Sequence, residues 1–394
     1  MAAEKEIQGN WRVLFRRVGD DYEKDVRTYD VSGRQHTEWR KIKRETIIDD
    51  HGKEFLRTIQ AFDGAVVVPS HTDYQPIIDQ CINRYHPIDV IPKEGVFPTW
   101  ETLIRRVFGE QELQGWEYLA NLYKKPRQIL PVLCLVSPEN GTGKTSFANG
   151  LSILFGQNIG FFGQADLSSQ FNTWLRSLVA IFEEINETGT TLNKIKSAST
   201  ARTVTVNAKY QQQVSFQPFV KLVICSNNDK SFIKANGNDI RYWIRKMKPI
   251  PSDEFDPDFE EKLNLEAPAV LCHLAQIPLR KTRSRMFFAP EEIRTDALRS
   301  VVKESRSKCA KDLEIMIQEK TDEFKSWQAT LTDISEMMGK RYAVSDLKNA
   351  LKDELGLKPS ENPIRYTHIS GNSRTGRVYS FGVDNVVNSD SLPF

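Results

Sequence analysis

The segment Pro138–Thr145, which reads Pro-Glu-Asn-Gly-Thr-Gly-Lys-Thr, constrains the fold more than any other part of the sequence. An apolar run, Ile129–Val136, precedes it, and a helical pattern with Phe147, Leu151 and Leu154 on one face follows it. A strand, a glycine-rich turn and a helix that opens with Gly-Lys-Thr together form a phosphate-binding loop, because backbone N–H groups and a helix N-terminus attract anions. The sequence therefore predicts an α/β domain with a largely parallel sheet that carries this loop.

The side chains of this phosphate-binding loop indicate the ligand. Lys144 is placed to neutralise the β- and γ-phosphate oxygens of a nucleotide, and the Thr145 hydroxyl is placed to ligate Mg²⁺. Pro138 stands where the full pattern has a glycine, at a position that shapes the turn without touching phosphate. The sequence thus predicts ATP and Mg²⁺ as cofactors. The nucleotide is expected to contact Asn140, Gly141, Thr142, Gly143, Lys144, Thr145 and Ser146.

A second apolar run, Leu178–Phe182, ends in the acidic pair Glu183 and Glu184. Beside a bound nucleotide, Glu183 would help to hold Mg²⁺, and Glu184 would orient or deprotonate the attacking water. The alternative interpretation is a solvated acidic strand end or a helix cap. The phosphate-binding loop favours the catalytic interpretation, because such a loop needs an acidic partner.

A third apolar run, Val220–Cys225, ends in polar residues that include Asn227. An asparagine at a strand end can hydrogen-bond the attacking water or the γ-phosphate. Asparagine is also a common turn residue, so this position alone carries little weight. Together, the three runs predict one catalytic edge with Glu183, Glu184 and Asn227.

The order of these motifs resembles the superfamily 3 helicases, which are AAA+ motors of small viruses, phages and plasmids. Ala180–Glu184 is similar to the Glu-Glu form of their acidic motif, as found in parvoviral Rep proteins, and Asp239–Trp243 resembles their arginine-finger region. The resemblance implies a ring, usually a hexamer, with ATP between subunits. Arg241 would then act on the neighbouring subunit's nucleotide, with Arg245 as the alternative finger.

Two segments between the acidic pair and Asn227 extend the resemblance. Lys194–Ala198 and Val204–Tyr210 are similar to the family motif whose β-hairpin projects a lysine into the central channel. The resemblance implies contacts to single-stranded DNA from Lys196, Lys209 and Tyr210. A cation beside an aromatic ring suits this substrate, because neither group requires a particular base. The alternative is an exposed turn lysine beside a packed tyrosine.

The likeness is greatest to the helicase part of phage and plasmid primase-helicases. It is carried by Gly95–Pro98, Phe108–Gly109 and Arg285–Pro290, and it covers roughly residues 65 to 320. No Asp-x-Asp strand precedes Gly95, so a separate primase or replication initiator is implied as a partner. Two short basic runs, Lys41–Arg44 and Arg280–Arg285, could contact DNA but are more typical of solvated faces.

Composition sets further limits on function. The 394 residues carry a net charge of only +2, so any nucleic-acid surface must come from local arrangement. The five cysteines lack CxxC spacing, which argues against disulfides and cysteine-bound metal. No run reaches membrane-spanning length, and Met1–Glu6 has no apolar segment of the secretory type. We therefore expect a cytoplasmic protein with no membrane partner.

Five regions follow from the patterning. Residues 1–70 read as a small α+β region, 71–125 as helical, and 126–285 as the ATPase core. Residues 286–325 again read as helical, and 326–394 as a winged-helix-like domain with a mobile tail. In that last region, Arg365–Ile369 and Gly376–Phe381 are predicted to form a hairpin.

The sequence favours an ATP-dependent DNA helicase, and two rival functions stay open. The first is a loading switch or scaffold that binds nucleotide without translocating. The second is a P-loop ATPase that remodels proteins and needs no basic hairpin. The complete set of catalytic residues argues against a switch, because a switch can dispense with fast hydrolysis.

Overall fold

The structure is a computed structural model that describes residues 14–29, 35–170, 172–185, 189–200, 203–206, 214–235, 241–282 and 285–382. The chain divides into two compact units. One consists of Met1–Asp89 with Tyr123–Pro126, and the other of Val90–Leu122 with Arg127–Phe394. Within the described ranges, no helix combines the length and the apolar character that crossing a membrane requires.

The first unit contains a four-stranded sheet in the order β3-β2-β1-β4. Its strands are β1 (Phe15–Val18), β2 (Asp21–Tyr29), β3 (Gln35–Ile42) and β4 (Gln60–Phe62). Neighbours are antiparallel except β1 and β4, which run parallel. Gly19 has a φ of +60° in the tight turn between β1 and β2, a conformation that glycine adopts without steric cost.

The rest of the first unit covers one face of this sheet and adds a smaller one. The helix Arg44–His51 and the 3₁₀ turn Lys53–Thr58 follow β3. Ile47 and Ile59 pack with Phe15 as a small apolar core. The three-stranded sheet has the order β5-β7-β6. Its strands are β5 (Gly64–Val66), β6 (Ile77–Ile78) and β7 (Cys81–Asn83).

The second unit is built on a five-stranded sheet whose strands all run parallel, in the order β14-β8-β13-β10-β9. The strands are β8 (Val132–Val136), β9 (Ile159–Phe162), β10 (Val179–Glu183), β13 (Lys221–Ser226) and β14 (Tyr242–Lys246). Every residue of β8 and β13 is buried. Burial on both faces requires near-continuous apolar runs, and this confirms the α/β class predicted from those runs.

Helices cover this sheet or lie beside it. Those that precede β8 are Pro98–Phe108 and Glu112–Lys124. Those within or after the sheet are Lys144–Phe155, Gln164–Ser168, Gly189–Thr200 and Phe259–Gln276. An aromatic cluster joins the helix Pro98–Phe108 to β14. The ring centroids of Trp243 and Phe108 are 4.8 Å apart, and the Phe108 ring meets that of Phe147 edge-on at 5.8 Å. The Trp243 indole N–H donates to Gln111 Oε1 at 2.8 Å.

A two-stranded antiparallel hairpin lies between β10 and β13 in the chain. It pairs β11 (Val204–Val206) with β12 (Val214–Phe216). The residues that join these strands, 207–213, lie outside the described ranges.

The C-terminal part of the second unit has its own apolar core. The preceding helix, Asp296–Ser305, instead packs in the core of the parallel sheet through Leu298, Val301 and Val302. The helices of the C-terminal core are Lys308–Phe324, Leu331–Met337 and Val344–Asn349, followed by a π-helical turn at Ala350–Glu354. Its strands are β15 (Ser326–Thr330), β16 (Ile364–Thr367), β17 (Ser373–Gly376) and β18 (Val378–Gly382). Asp333 is buried and accepts hydrogen bonds from Thr330, Tyr366 and Arg374, which ties β15 to β16 and β17.

The C-terminal hairpin differs from the predicted one. β16 pairs with Ser373–Gly376, whereas Val378–Gly382 pairs with β15. The physical reason is burial, because the Phe381 ring stacks on Trp327 with centroids 4.1 Å apart, in the C-terminal core. The winged-helix-like character of this region stays a prediction.

Lys221 gives a test of this packing. Its side chain is 3% exposed at the start of β13, and its Nζ donates to the Phe219 carbonyl at 2.7 Å. Burial lowers the pKa of Lys221 to about 7, from 10.5. Between these two values the unfolded chain binds more protons, so this group makes stability rise with pH, by up to about 1.4 kcal/mol per pH unit.

We therefore predict that Lys221→Met raises the melting temperature at pH 7, and that this gain shrinks as the pH approaches 10.5. The measurement is thermal unfolding of both proteins across this pH range. Lys303→Met, at an exposed position of the helix Asp296–Ser305, is the matched control and should show no such trend. A Lys221→Met protein that is less stable at pH 7 would contradict the burial argument.

Candidate nucleotide-binding site

The phosphate-binding loop leaves the sheet at the carboxyl end of β8 and leads directly into the helix Lys144–Phe155. Gly141 and Gly143 have φ values of +65° and +87°. These left-handed conformations suit glycine, and alternation with right-handed residues turns successive N–H groups toward one point. The loop thus has a backbone that can cradle an anion at a helix N-terminus.

Hydrogen bonds from neighbouring strands fix this loop. The Ser137 N–H donates to the Ser226 carbonyl at 3.1 Å, at the end of β13. On the other side, the Ile250 N–H donates to the Gly141 carbonyl at 3.0 Å. Thr142 within the loop is 2% exposed. The loop is therefore held by the end of β13 and by the segment that follows β14, and this order reduces the loss of conformational entropy when a ligand binds.

The acidic pair and Asn227 lie at the same edge of the sheet. Glu183 is in register with Cys225, and the Glu184 N–H donates to the Cys225 carbonyl at 3.0 Å. The Asn227 amide donates to Glu184 Oε1 at 2.9 Å. Glu184 has a φ of +49°, a left-handed conformation that costs of order 1 kcal/mol outside glycine and that clusters at functional sites.

One cavity of 730 Å³ joins these parts. The seven loop residues predicted to contact nucleotide all line it, from Asn140 to Ser146. Glu183, Glu184 and Asn227 line it as well. The structure therefore brings together ten of the residues that the sequence analysis singled out.

Electrostatics within the cavity are set by Lys144 and the acidic pair. Lys144 is half-buried, and its Nζ lies 3.3 Å from Thr142 Oγ1 and 3.4 Å from the Glu139 carbonyl. Burial lowers the pKa of Lys144, while the Glu184 charge acts in the opposite direction. Burial raises the pKa of Cys225 to about 12, so its thiol is neutral at physiological pH.

The cavity also contains apolar residues that the sequence analysis missed. Phe161 and Phe162 reach it from the end of β9, and Ile250 and Phe255 from the segment after β14. Phe161 and Phe255 are 48% and 71% exposed, which is unusual for aromatic rings. Phe255 is the one large apolar residue between Pro251 and Asp258, and that isolation is the signal that could have drawn attention to it.

The two candidate fingers have different surroundings. Arg241 is at the amino end of β14, where its carbonyl accepts from the Val132 N–H at 2.7 Å. The five residues of β14 span about 16 Å, so Arg241 lies at the opposite edge from the phosphate-binding loop of its own chain. Arg245 is buried and donates to the Val107 carbonyl, Glu110 and Gln111.

Of the expected DNA contacts, Lys196 is half-buried on the helix Gly189–Thr200. Lys209 and Tyr210 lie outside the described residues. The strands that would support them, β11 and β12, pair as a hairpin.

Comparison with known proteins gives a fold and a partial family match. Residues 135–242, from β8 to the start of β14, match the family of unknown function DUF5906. The apo structure of the NrS-1 C-terminal region is similar, with a TM-score of 0.62 and 14% identity over 91% of this chain and 95% of that chain. An A-form apo structure of the same region has a TM-score of 0.62 and 13% identity over 96% and 98%. No curated protein matches this chain. The likeness shows a shared fold.

Proposed function

We propose that this protein is an ATP-driven DNA helicase of superfamily 3 type, which moves along single-stranded DNA during phage or plasmid replication. The observation that carries the proposal is the single cavity that unites the phosphate-binding loop with Glu183, Glu184 and Asn227. A loop that only bound phosphate would not need two carboxylates and an amide facing it. The set is what hydrolysis of a phosphoanhydride requires.

The residues present fit Mg²⁺ beside the triphosphate. Thr145 contributes a hydroxyl and Glu183 a carboxylate, both oxygen donors of the kind that Mg²⁺ prefers, and both line the cavity. Bound there, Mg²⁺ supplies positive charge against the β- and γ-phosphate oxygens. Lys144 neutralises the same oxygens from the helix N-terminus.

Glu184 is the candidate base. Its Oε1 accepts from the Asn227 amide, and its backbone bonds to β13, so the carboxylate is held at a defined place in the cavity. From there it would orient the attacking water and take its proton as the oxygen bonds to the γ-phosphorus. The bond from the γ-phosphorus to the bridging oxygen would break in the same step, and ADP would leave with that oxygen. Asn227 acts as the positioning residue, because its hydrogen bond fixes the rotamer of Glu184.

A neighbouring subunit would complete the site. Arg241 is at the amino edge of the sheet, far from the phosphate-binding loop of its own chain. This position supports Arg241 as the finger that acts across an interface. The alternative finger, Arg245, is buried. Head-to-tail contacts of this kind close into a ring when the rotation permits, and we propose a homo-oligomeric ring, a hexamer by resemblance.

Single-stranded DNA would pass the β11–β12 hairpin in this ring. Lys209 and Tyr210, which lie between the two strands in the sequence, are the proposed contacts, together with Lys196 on the preceding helix. The change of phosphate state during hydrolysis would be relayed to this hairpin. A separate primase or initiator remains a proposed partner.

The first prediction from this proposal concerns ATP hydrolysis. The wild-type protein should hydrolyse ATP, and single-stranded DNA should stimulate the rate. Glu184→Gln should lower kcat by about 100-fold or more because the general base is lost, while nucleotide affinity is retained. Glu361→Gln, on the exposed C-terminal surface, is the matched control and should behave as wild type.

The rival functions predict other results in the same assay. Hydrolysis that is indifferent to DNA would point to an ATPase that remodels proteins. A correctly assembled wild-type protein without hydrolysis would point to a nucleotide-dependent switch.

The second prediction separates the two arginines. Arg241→Ala and Lys144→Ala should each abolish hydrolysis, but the two variants assembled together should regain activity. At a mixed interface, one subunit brings an intact phosphate-binding loop and the other an intact Arg241. Arg245→Ala should instead lower stability by about 1 to 3 kcal/mol, since it leaves the buried Val107 carbonyl unpaired. Mixed assemblies as inactive as their parents would contradict action across the interface.

A further inference from the structure

A second cavity of the same unit lies at the amino edge of the sheet, where β8 and β13 begin. Its volume is 520 Å³. The lining comes from the segment before β8, the last turn of the helix Gly189–Thr200, the segment between β12 and β13, and Arg285. We call it the amino-edge cavity, and it shares no lining residue with the nucleotide cavity.

Backbone contacts bring two arginines to this cavity from distant parts of the chain. The Gln128 side-chain amide donates to the Arg285 carbonyl at 3.2 Å. The Phe287 N–H donates to the Ile129 carbonyl at 3.1 Å, and Ile129 forms a β-bridge with Met286. The segments that carry Arg127 and Arg285 are thus joined side by side, and both arginines are exposed at the rim.

No carboxylate offsets these two arginines within the amino-edge cavity, because none of the described residues that line it is acidic. Lys221 lines it too, but this lysine is 3% exposed, its Nζ donates to the Phe219 carbonyl at 2.7 Å, and burial lowers its pKa to about 7. The charges at the rim are therefore those of Arg127 and Arg285, and a bound anion would reduce the repulsion between the two guanidinium groups.

A different cavity of the same unit is also lined by arginines, but there the arginines are paired with carboxylates of the chain. Arg106 and Arg245 line a cavity of 600 Å³ that also contains Glu254 and Glu110. Arg106 pairs with Glu254 at 2.6 Å, and Arg245 with Glu110 at 2.8 Å. The charges there are satisfied within the chain. Among the described residues, neither Arg127 nor Arg285 forms an ion pair with a carboxylate.

The position of the amino-edge cavity indicates which kind of molecule would carry the bound anion. Gln217 lines it one residue after β12, so the cavity is at the base of the β11–β12 hairpin. Ser199 lines it from the last turn of the helix that carries Lys196. Cations at an open rim beside a hairpin suit a chain of phosphates that continues past the cavity better than an enclosed small molecule.

We infer that the amino-edge cavity binds backbone phosphate groups of single-stranded nucleic acid, through Arg127 and Arg285. This inference rests on the proposed function, and it adds a contact site to those proposed at Lys196, Lys209 and Tyr210. The contacts are to phosphate, so they contribute affinity and register without a preference for base.

The test is equilibrium binding of a fluorescein-labelled oligo-dT to the full-length protein without ATP, over a range of salt concentrations. The variant is the double substitution Arg127→Ala with Arg285→Ala. Lys303→Ala, at an exposed lysine elsewhere, is the control. Thermal unfolding of each variant verifies that it is folded, and pyrophosphate serves as a competing free anion.

We expect the double variant to bind oligo-dT about 10-fold more weakly, with the control unchanged. The slope of log affinity against log salt should fall by about 1.4, because each phosphate contact to a single strand contributes about 0.7. Loss of structure alone would not change this slope by that amount.

Three results would overturn the inference. If the wild-type protein binds oligo-dT and the double variant binds it equally well, the amino-edge cavity does not contact DNA, and the proposed function is unaffected. Variants that lose competition by pyrophosphate but bind oligo-dT normally would assign the cavity to a free anion. A wild-type protein that binds no oligo-dT would overturn both the inference and the proposed function.

Discussion

The parallel alignment of β8, β13 and β10 is the constraint on which the nucleotide site depends. The register sets Glu183 beside Cys225 and Ser226 beside Val136, so the residues that follow these strands emerge at one edge. Chain segments that are far apart in sequence therefore meet around one cavity. This is the usual place for a ligand in an open α/β sheet, because loops at the carboxyl ends are free to carry polar groups while the strands stay buried.

The two edges of the sheet carry different groups. The carboxyl edge holds the phosphate-binding loop and its acidic partners, and the amino edge holds Arg241 and the amino-edge cavity. β13 connects the two, since it begins at Lys221 and ends just before Asn227, a distance of about 20 Å. A separation of this size keeps Arg241 away from the candidate nucleotide site of its own chain, which is why we propose that it acts on a neighbouring subunit.

Much of the site was predictable because its residues follow local rules. Buried parallel strands demand continuous apolar runs, and functional side chains follow the ends of those runs. The strand order was not predictable in this way, because it depends on crossovers between distant segments. Phe255 lacked any periodic pattern, and Val378–Gly382 pairs with β15 because burial of Phe381 outweighs local hairpin geometry. Lys221 was predicted to be part of an apolar strand, but the burial of its amine could not be predicted, because this depends on residues that are distant in sequence.

Calorimetric titration of the assembled protein with a slowly hydrolysed ATP analogue and Mg²⁺ would show whether the cavity at the carboxyl edge binds nucleotide. We expect saturable binding that is lost in Lys144→Ala and retained in Lys303→Ala, with both variants as stable as wild type. Binding that survives Lys144→Ala, or a folded wild-type protein that binds no nucleotide, would contradict the assignment of this cavity.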